Sequence, residues 1–124
     1  MNIEVNFKVY PEYLLVESKG EIKNENDLRE RCKMIFDGIL RHDKNKVLIN
    51  EPGTRFPKRI LMYYNLVDFY IHNFPPHIRS LKIAKVLSEE YKEIGYFWET
   101  VCVNHGFRYF AFTSMKDAEK WLVN

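Results

Sequence analysis

Past its first twenty residues, the chain alternates between short apolar runs and longer stretches whose apolar residues recur at three or four positions. That switch of period constrains the fold more than any other feature. Short runs such as Val47-Leu48-Ile49 suit strands covered on both faces, and the longer stretches suit amphipathic helices. Strands that alternate with helices become parallel neighbours joined by right-handed crossovers. Before this alternation begins, Ile3, Val5, Phe7 and Val9 interleave with Glu4, Asn6 and Lys8, as in a half-buried strand. Pro11-Glu12 makes a turn, and residues 13–18 form a second strand ended by Lys19-Gly20, which gives an antiparallel pair.

The remaining elements follow the same logic. A helix is expected over 25–42, opened by Asn24 with Asp27 three residues on, and carrying Leu28, Cys32, Ile35, Phe36 and Ile39 on one side. After the strand at 47–49, Glu51-Pro52-Gly53-Thr54 is a turn. A second helix is expected over 57–73, with Pro57 in its first turn and Pro75-Pro76 beyond its end. A strand at 80–87 precedes a third helix opened by Ser88-Glu89-Glu90, whose face carries Tyr91, Ile94, Trp98, Val101 and Cys102. Asn104-His105-Gly106 then reads as the end of that helix. Gly106 can take the left-handed conformation, with Phe107 returning to touch Cys102. Residues 107–113 form the last strand, and Ser114 with Asp117 caps a short final helix. The expected fold is α/β: a mixed five-stranded sheet, an N-terminal antiparallel hairpin followed by parallel βαβ units, and about four helices, in one domain over residues 1–124.

Composition narrows the function classes. The formal net charge is +2 and no dense Lys/Arg run occurs, which argues against nucleic acid. No apolar stretch reaches the length of a spanning helix, and the N-terminus lacks the pattern of a secretion signal, so a cytoplasmic protein is expected. Cys32 and Cys102 fall on apolar helix faces and read as reduced, buried thiols. Arg29, Glu30, Arg31 and Lys33 read as a solvated helix face. His72 and His77 flank a diproline without a third ligand, so no metal site is expected, and no cofactor. No nucleophile motif, phosphate-binding glycine loop or dinucleotide fingerprint is present, and no catalytic residue is assigned.

Phe97-Trp98-Glu99, Asn104-x-Gly106, Phe110-x-Phe112 and Asp117-Ala118-x-x-Trp121-Leu122 resemble the signature of a bacterial and archaeal family with the STAS-like (SpoIIAA-like) fold. Gly20, Val47-Leu48-Ile49 and Ile83-Ala84 fall where that family has its first glycine turn, central strand and later core strand. Members are mostly uncharacterised, and the resemblance brings no catalytic residues. Regulatory members of the wider group are phosphorylated on a Ser or Thr in the turn after the central strand. Here that place is Glu51-Pro52-Gly53-Thr54, which departs from the group's Asp-Ser-Ser-Gly-like pattern, and Thr54 is its only hydroxyl. A phosphate on Thr54, or a small anion, would find a helix N-terminus and Arg55, Lys58 and Arg59 nearby.

The second helix is unusually apolar. Between Ile60 and Ile71 only Asn65 and Asp68 are strongly polar, so more of its girth is apolar than one sheet requires. A second copy of the chain, the segment Phe74 to Ile78, or an apolar ligand or membrane surface are the three candidates to cover it. The STAS-like fold has been grouped with lipid-carrying CRAL-TRIO-type domains, which keeps the ligand in view. Tyr63, Tyr64, Leu66, Val67, Phe69 and Tyr70 are therefore candidate interface or ligand residues. Two functions are expected: a non-enzymatic regulatory or protein-interaction domain, homodimeric through this helix or bound to another protein, or a small carrier of a lipid-like molecule held between the helix and the sheet.

Overall fold

A computed structural model describes residues 2–124. Strands β1 (Asn2–Val9) and β2 (Leu14–Glu21) form the antiparallel pair, and β3 (Lys46–Asn50), β5 (Lys82–Val86) and β6 (Arg108–Phe112) continue the sheet in parallel. The order is β1-β2-β3-β5-β6. A sixth strand, β4 (Thr54–Arg55), was not expected from the sequence. It pairs with β2 at Gly20 and Glu21, where β2 has run past the end of β3.

Helices α1 (Glu25–His42), α2 (Leu61–Asn73) and α3 (Lys92–Asn104) cover one face of the sheet, and α4 (Met115–Val123) covers the other. Strand alternation sorts the side chains accordingly. Leu14, Val16, Val47, Ile49 and Ile83 join the three-helix core, while Leu15, Leu48, Ala84 and Val86 pack with Ala118 and Leu122 of α4. Gly95 lets α3 lie close to the sheet, since a methyl group there would come within 2.5 Å of Leu87 Cδ1.

The capping signals at Asn24 and Ser114 form as read, with both side chains accepting the N–H three residues on. The third helix ends in a left-handed glycine cap: Gly106 has φ +88°, its N–H bonds Val103 O, and the Phe107 N–H bonds Cys102 O. His105 Nδ1 lies 2.8 Å from Val101 O within that same turn. Four boundaries differ from expectation. Strand β2 does not end at Lys19-Gly20 but runs on to Glu21, because Lys19 and Gly20 stay paired with Glu4 and Ile3 of β1. The α2 helix starts at Leu61 rather than 57, because Pro57–Ile60 complete the crossing from β4, and the Tyr63 hydroxyl donates to Pro57 O instead. Pro76–Ser80 forms a 3-10 turn that delays β5 to Lys82. Ser88 gives no side-chain cap, and a 3-10 turn at Glu89–Tyr91 leads into α3.

Candidate functional site

The turn after the central strand rests on three buried charges. Glu51 follows directly after β3 and turns its side chain under the three helices, where it is fully buried. Arg31 comes from α1 and Lys85 from the middle of β5, both 1% exposed. The Arg31 guanidinium contacts Glu51 Oε1, and Lys85 Nζ lies 3.0 Å from Glu51 Oε2. Two cations thus share one carboxylate. Aromatic rings supply further negative potential: Lys85 Nζ is 3.0 Å from the Trp98 ring centre and 5.3 Å from that of Tyr109, and the Arg31 guanidinium is 5.2 Å from that of Phe56. Burial, followed by the charge of Arg31, holds the Lys85 ammonium well below its usual pKa.

Hydrogen bonds extend from this cluster into the turn. Arg31 Nε donates to Ser18 Oγ at 3.5 Å; Ser18 Oγ lies 3.1 Å from Thr54 Oγ1; and Thr54 Oγ1 donates to the Ser18 carbonyl at 2.9 Å. The backbone is tied as well, through Thr54 N–H to Glu51 O, Glu51 N–H to Val86 O and Gly20 N–H to Gly53 O. The segment is held from below by charge and from the side by β-pairing.

That geometry corrects the sequence reading of this turn in two places. Arg31 is not part of a solvated face: it lies three residues after Leu28 and four before Ile35, inside the apolar stripe of α1. Thr54 is 1% exposed and its hydroxyl is engaged with Ser18, so adding a phosphate there would require breaking those hydrogen bonds and exposing the side chain. It is also separated from α2 by the crossing segment, so it does not stand at that helix's N-terminus. Arg55, Lys58 and Arg59 are exposed, and Lys58 pairs with Glu90 at 3.2 Å. His72 and His77 are engaged separately, with Asp68 and Ser80. Both thiols are free and buried, and burial pushes the Cys102 thiol up to about 12 and Cys32 higher.

The α2 helix divides into two surfaces. Tyr63, Leu66, Val67 and Tyr70 are at most 3% exposed, since α2 lies between α1 and α3 as well as on the sheet. These four are therefore beyond the reach of a surface partner. Trp98 Nε1 donates to the Tyr70 hydroxyl, and Phe74 packs its ring against Phe36 and Phe69, so the chain's own following segment covers part of the helix. A cavity bounded by Phe36 of α1, Tyr70 of α2 and Ile49, Lys85 and Tyr109 of the sheet has a volume of about 10 Å³, smaller than a lipid chain needs. What remains outside is Ile60, Leu61 and Tyr64, with Leu61 72% exposed and the Tyr64 ring against His105.

No helix among the described residues is long and apolar enough to cross a membrane. No family profile and no curated protein sequence matches the chain. Solved structures do match over nearly the whole length. An anti-sigma factor antagonist from Mycobacterium paratuberculosis is 9% identical with a TM-score of 0.63, covering 98% of this chain and 95% of its own. An uncharacterised protein of the DUF3478 family with a SpoIIAA-like fold, from Shewanella loihica, is 17% identical with a TM-score of 0.54, covering 98% and 94%. Sheet order, the N-terminal hairpin and the placement of the four helices agree with the resemblance read from the residues: the chain has the STAS, or SpoIIAA-like, fold.

Proposed function

We propose that this protein is a non-enzymatic regulatory domain that works by binding another protein through the surface at the start of α2. The observation that carries this reading is the exposed apolar group Ile60, Leu61 and Tyr64, in the segment that follows the turn tied to the buried charges. A large aliphatic side chain exposed by 72% gains free energy when a partner covers it, and a fixed backbone reduces the entropy lost on binding. The basic side chains of Arg55, Lys58 and Arg59 border the group, so the fitting partner presents an apolar patch beside carboxylates. The fold is also that of a protein described as an anti-sigma factor antagonist, which supports a regulatory reading. A rigid turn without an accessible hydroxyl favours constitutive binding over control by phosphorylation at Thr54.

A photo-reactive amino acid at Leu61 tests this in cells. The expected result is a discrete crosslinked protein that disappears when Tyr64→Glu is added, while the far-UV spectrum and unfolding midpoint stay unchanged. No crosslink above that of a control at exposed Lys116 overturns the reading. Native mass spectrometry checks the carrier alternative, with the mass of the polypeptide alone expected.

A further inference from the structure

The first strand is an edge of the sheet, and no described strand flanks its outer side. Its hydrogen-bonding phase can be read from the hairpin. The Tyr10 N–H bonds Tyr13 O, so the even-numbered residues of β1 direct their backbone groups toward β2. Gly20, opposite Ile3, agrees, because its N–H points away from β1 to Gly53. The N–H and C=O groups of Ile3, Val5, Phe7 and Val9 therefore face outward along the open edge. An open edge with both donors and acceptors is a template for another strand.

We propose that this edge binds the same edge of a second copy, antiparallel, with Asn6 opposite Asn6. In that register Ile3 faces Val9 of the second copy and Val5 faces Phe7, and these are the residues whose backbone groups are directed outward. They exchange about eight N–H···O bonds across the two-fold axis. Glu4 falls opposite the second copy's Lys8 in the non-hydrogen-bonded positions, where facing side chains come closest, and the contact occurs twice. Shifting the register by one pair in either direction sets Glu4 against Asn6 or Tyr10 and loses both ion pairs. The charge pattern therefore selects one alignment.

The two faces of the strand agree with this alignment. Ile3, Val5 and Phe7 lie on the face packed under α1, with the Phe7 ring against Gly38 and stacked on His42. Val9 continues that face but is 55% exposed, and the second copy's Ile3 would cover it. Met34, one helical turn before Gly38 on the same stripe of α1, is 41% exposed. On the polar face, Glu4 already has Lys19 at 3.3 Å, an exposed contact that leaves its carboxylate open to a second ammonium. Antiparallel pairing here joins the two sheets into one, with the α2 surfaces left uncovered for other partners.

Sedimentation equilibrium of the full chain, from micromolar to millimolar concentration, is the experiment. A monomer–dimer equilibrium is expected. Val5→Pro removes an outward N–H without touching the β2 ladder and should abolish the dimer. Lys8→Glu sets carboxylate against carboxylate and should weaken the dimer by about tenfold or more. The exchange Glu4→Lys with Lys8→Glu should restore it to within about threefold. Amide exchange at Ile3, Val5, Phe7 and Val9 should slow at high concentration only. If Val5→Pro fails to fold, the exposed charge variants decide. A monomer throughout, a dimer broken by Tyr64→Glu but indifferent to the β1 variants, or a Lys8→Glu defect that the exchange does not repair would each overturn the proposal.

Discussion

The molecule holds two kinds of ion pair made from the same side chains. Under the turn after β3, Arg31 and Lys85 meet Glu51 with all three side chains at most 2% exposed. On the surface, Lys19 meets Glu4 and Lys58 meets Glu90 at 3.3 and 3.2 Å, with every partner more than half exposed. Lys85 and Glu51, at 3.0 Å, are separated about as the surface pairs are; what differs is solvent. Water screens the surface pairs and solvates each partner when the other leaves, so such contacts are worth about 0–1 kcal/mol. The buried charges have no such refuge, and their arrangement constrains the chain wherever the three elements meet. Resemblance of contact is therefore no guide to importance, and each class predicts a different response to truncation.

The largest effect is expected at Glu51. Replacing it with Ala leaves the buried Arg31 guanidinium without its carboxylate, beside Lys85 and among aromatic rings, and the loss should be about 3–5 kcal/mol by urea unfolding. The turn should loosen first, seen as faster amide exchange at Thr54, whose N–H bonds Glu51 O. A loss below about 1 kcal/mol would put Glu51 with the surface pairs and remove the basis for a rigid turn.

Lys85 sharpens the comparison, because the cluster contains one basic group more than its carboxylate count. In Lys85→Met, Arg31 and Glu51 remain as a balanced pair and an apolar chain lies on Trp98. The cost should be under about 1 kcal/mol near neutral pH, or the variant should be more stable. The pH dependence is more specific. The folded-state pKa of Lys85 is depressed below the unfolded value of about 10.4. Between the two values the unfolded chain binds the proton and the native protein does not, so this group's contribution to stability rises with pH across that window and is lost as pH falls through it. Cys32, Cys102 and the buried tyrosines carry raised pKa values, so they act in the opposite sense at alkaline pH. Those groups are common to both proteins. The difference in unfolding free energy between wild type and Lys85→Met, measured from neutral pH to about pH 10, should therefore move steadily in favour of the wild type. A flat difference would mean that Lys85 keeps its proton throughout, held by Glu51.

The architecture was legible because it is written in local pattern. Alternation in β1, the stripe in α1, the caps at Asn24 and Ser114 and the glycine stop at Gly106 each depend on residues within a turn or two of one another. The buried cluster was not, because Arg31, Glu51 and Lys85 come from three elements and become partners only through the topology. A trace was present for two of them. Arg31 occupies an apolar-stripe position of α1, and Lys85 interrupts Ile83-Ala84-x-Val86 in a strand covered on both faces. Each is a charge placed where the pattern calls for an apolar residue. Read locally, Arg31 belonged to the charged group Arg29-Glu30-Arg31, and that neighbourhood concealed it. The excess of apolar residues in α2 was legible too, but its cause was not. Flanking helices on both sides account for most of it, and sequence alone does not say how many neighbours a helix will have.

At the small end of the comparison stands Lys58→Ala. It removes the contact with Glu90 and the ammonium that lies 5.7 Å from the Tyr91 ring centre. Both groups remain hydrated in either state, so unfolding free energy should change by no more than about 0.5 kcal/mol, and the change should vanish at high salt. Partner binding separates the two roles of this residue. If the α2 surface meets carboxylates, association through it should slow in Lys58→Ala at low ionic strength while dissociation changes little, since charges at the rim of an interface act mainly on encounter. A stability loss approaching that of Glu51→Ala would mean that exposure does not separate the two classes of ion pair, and Lys58 would then be part of what holds the turn rather than of a solvated basic rim.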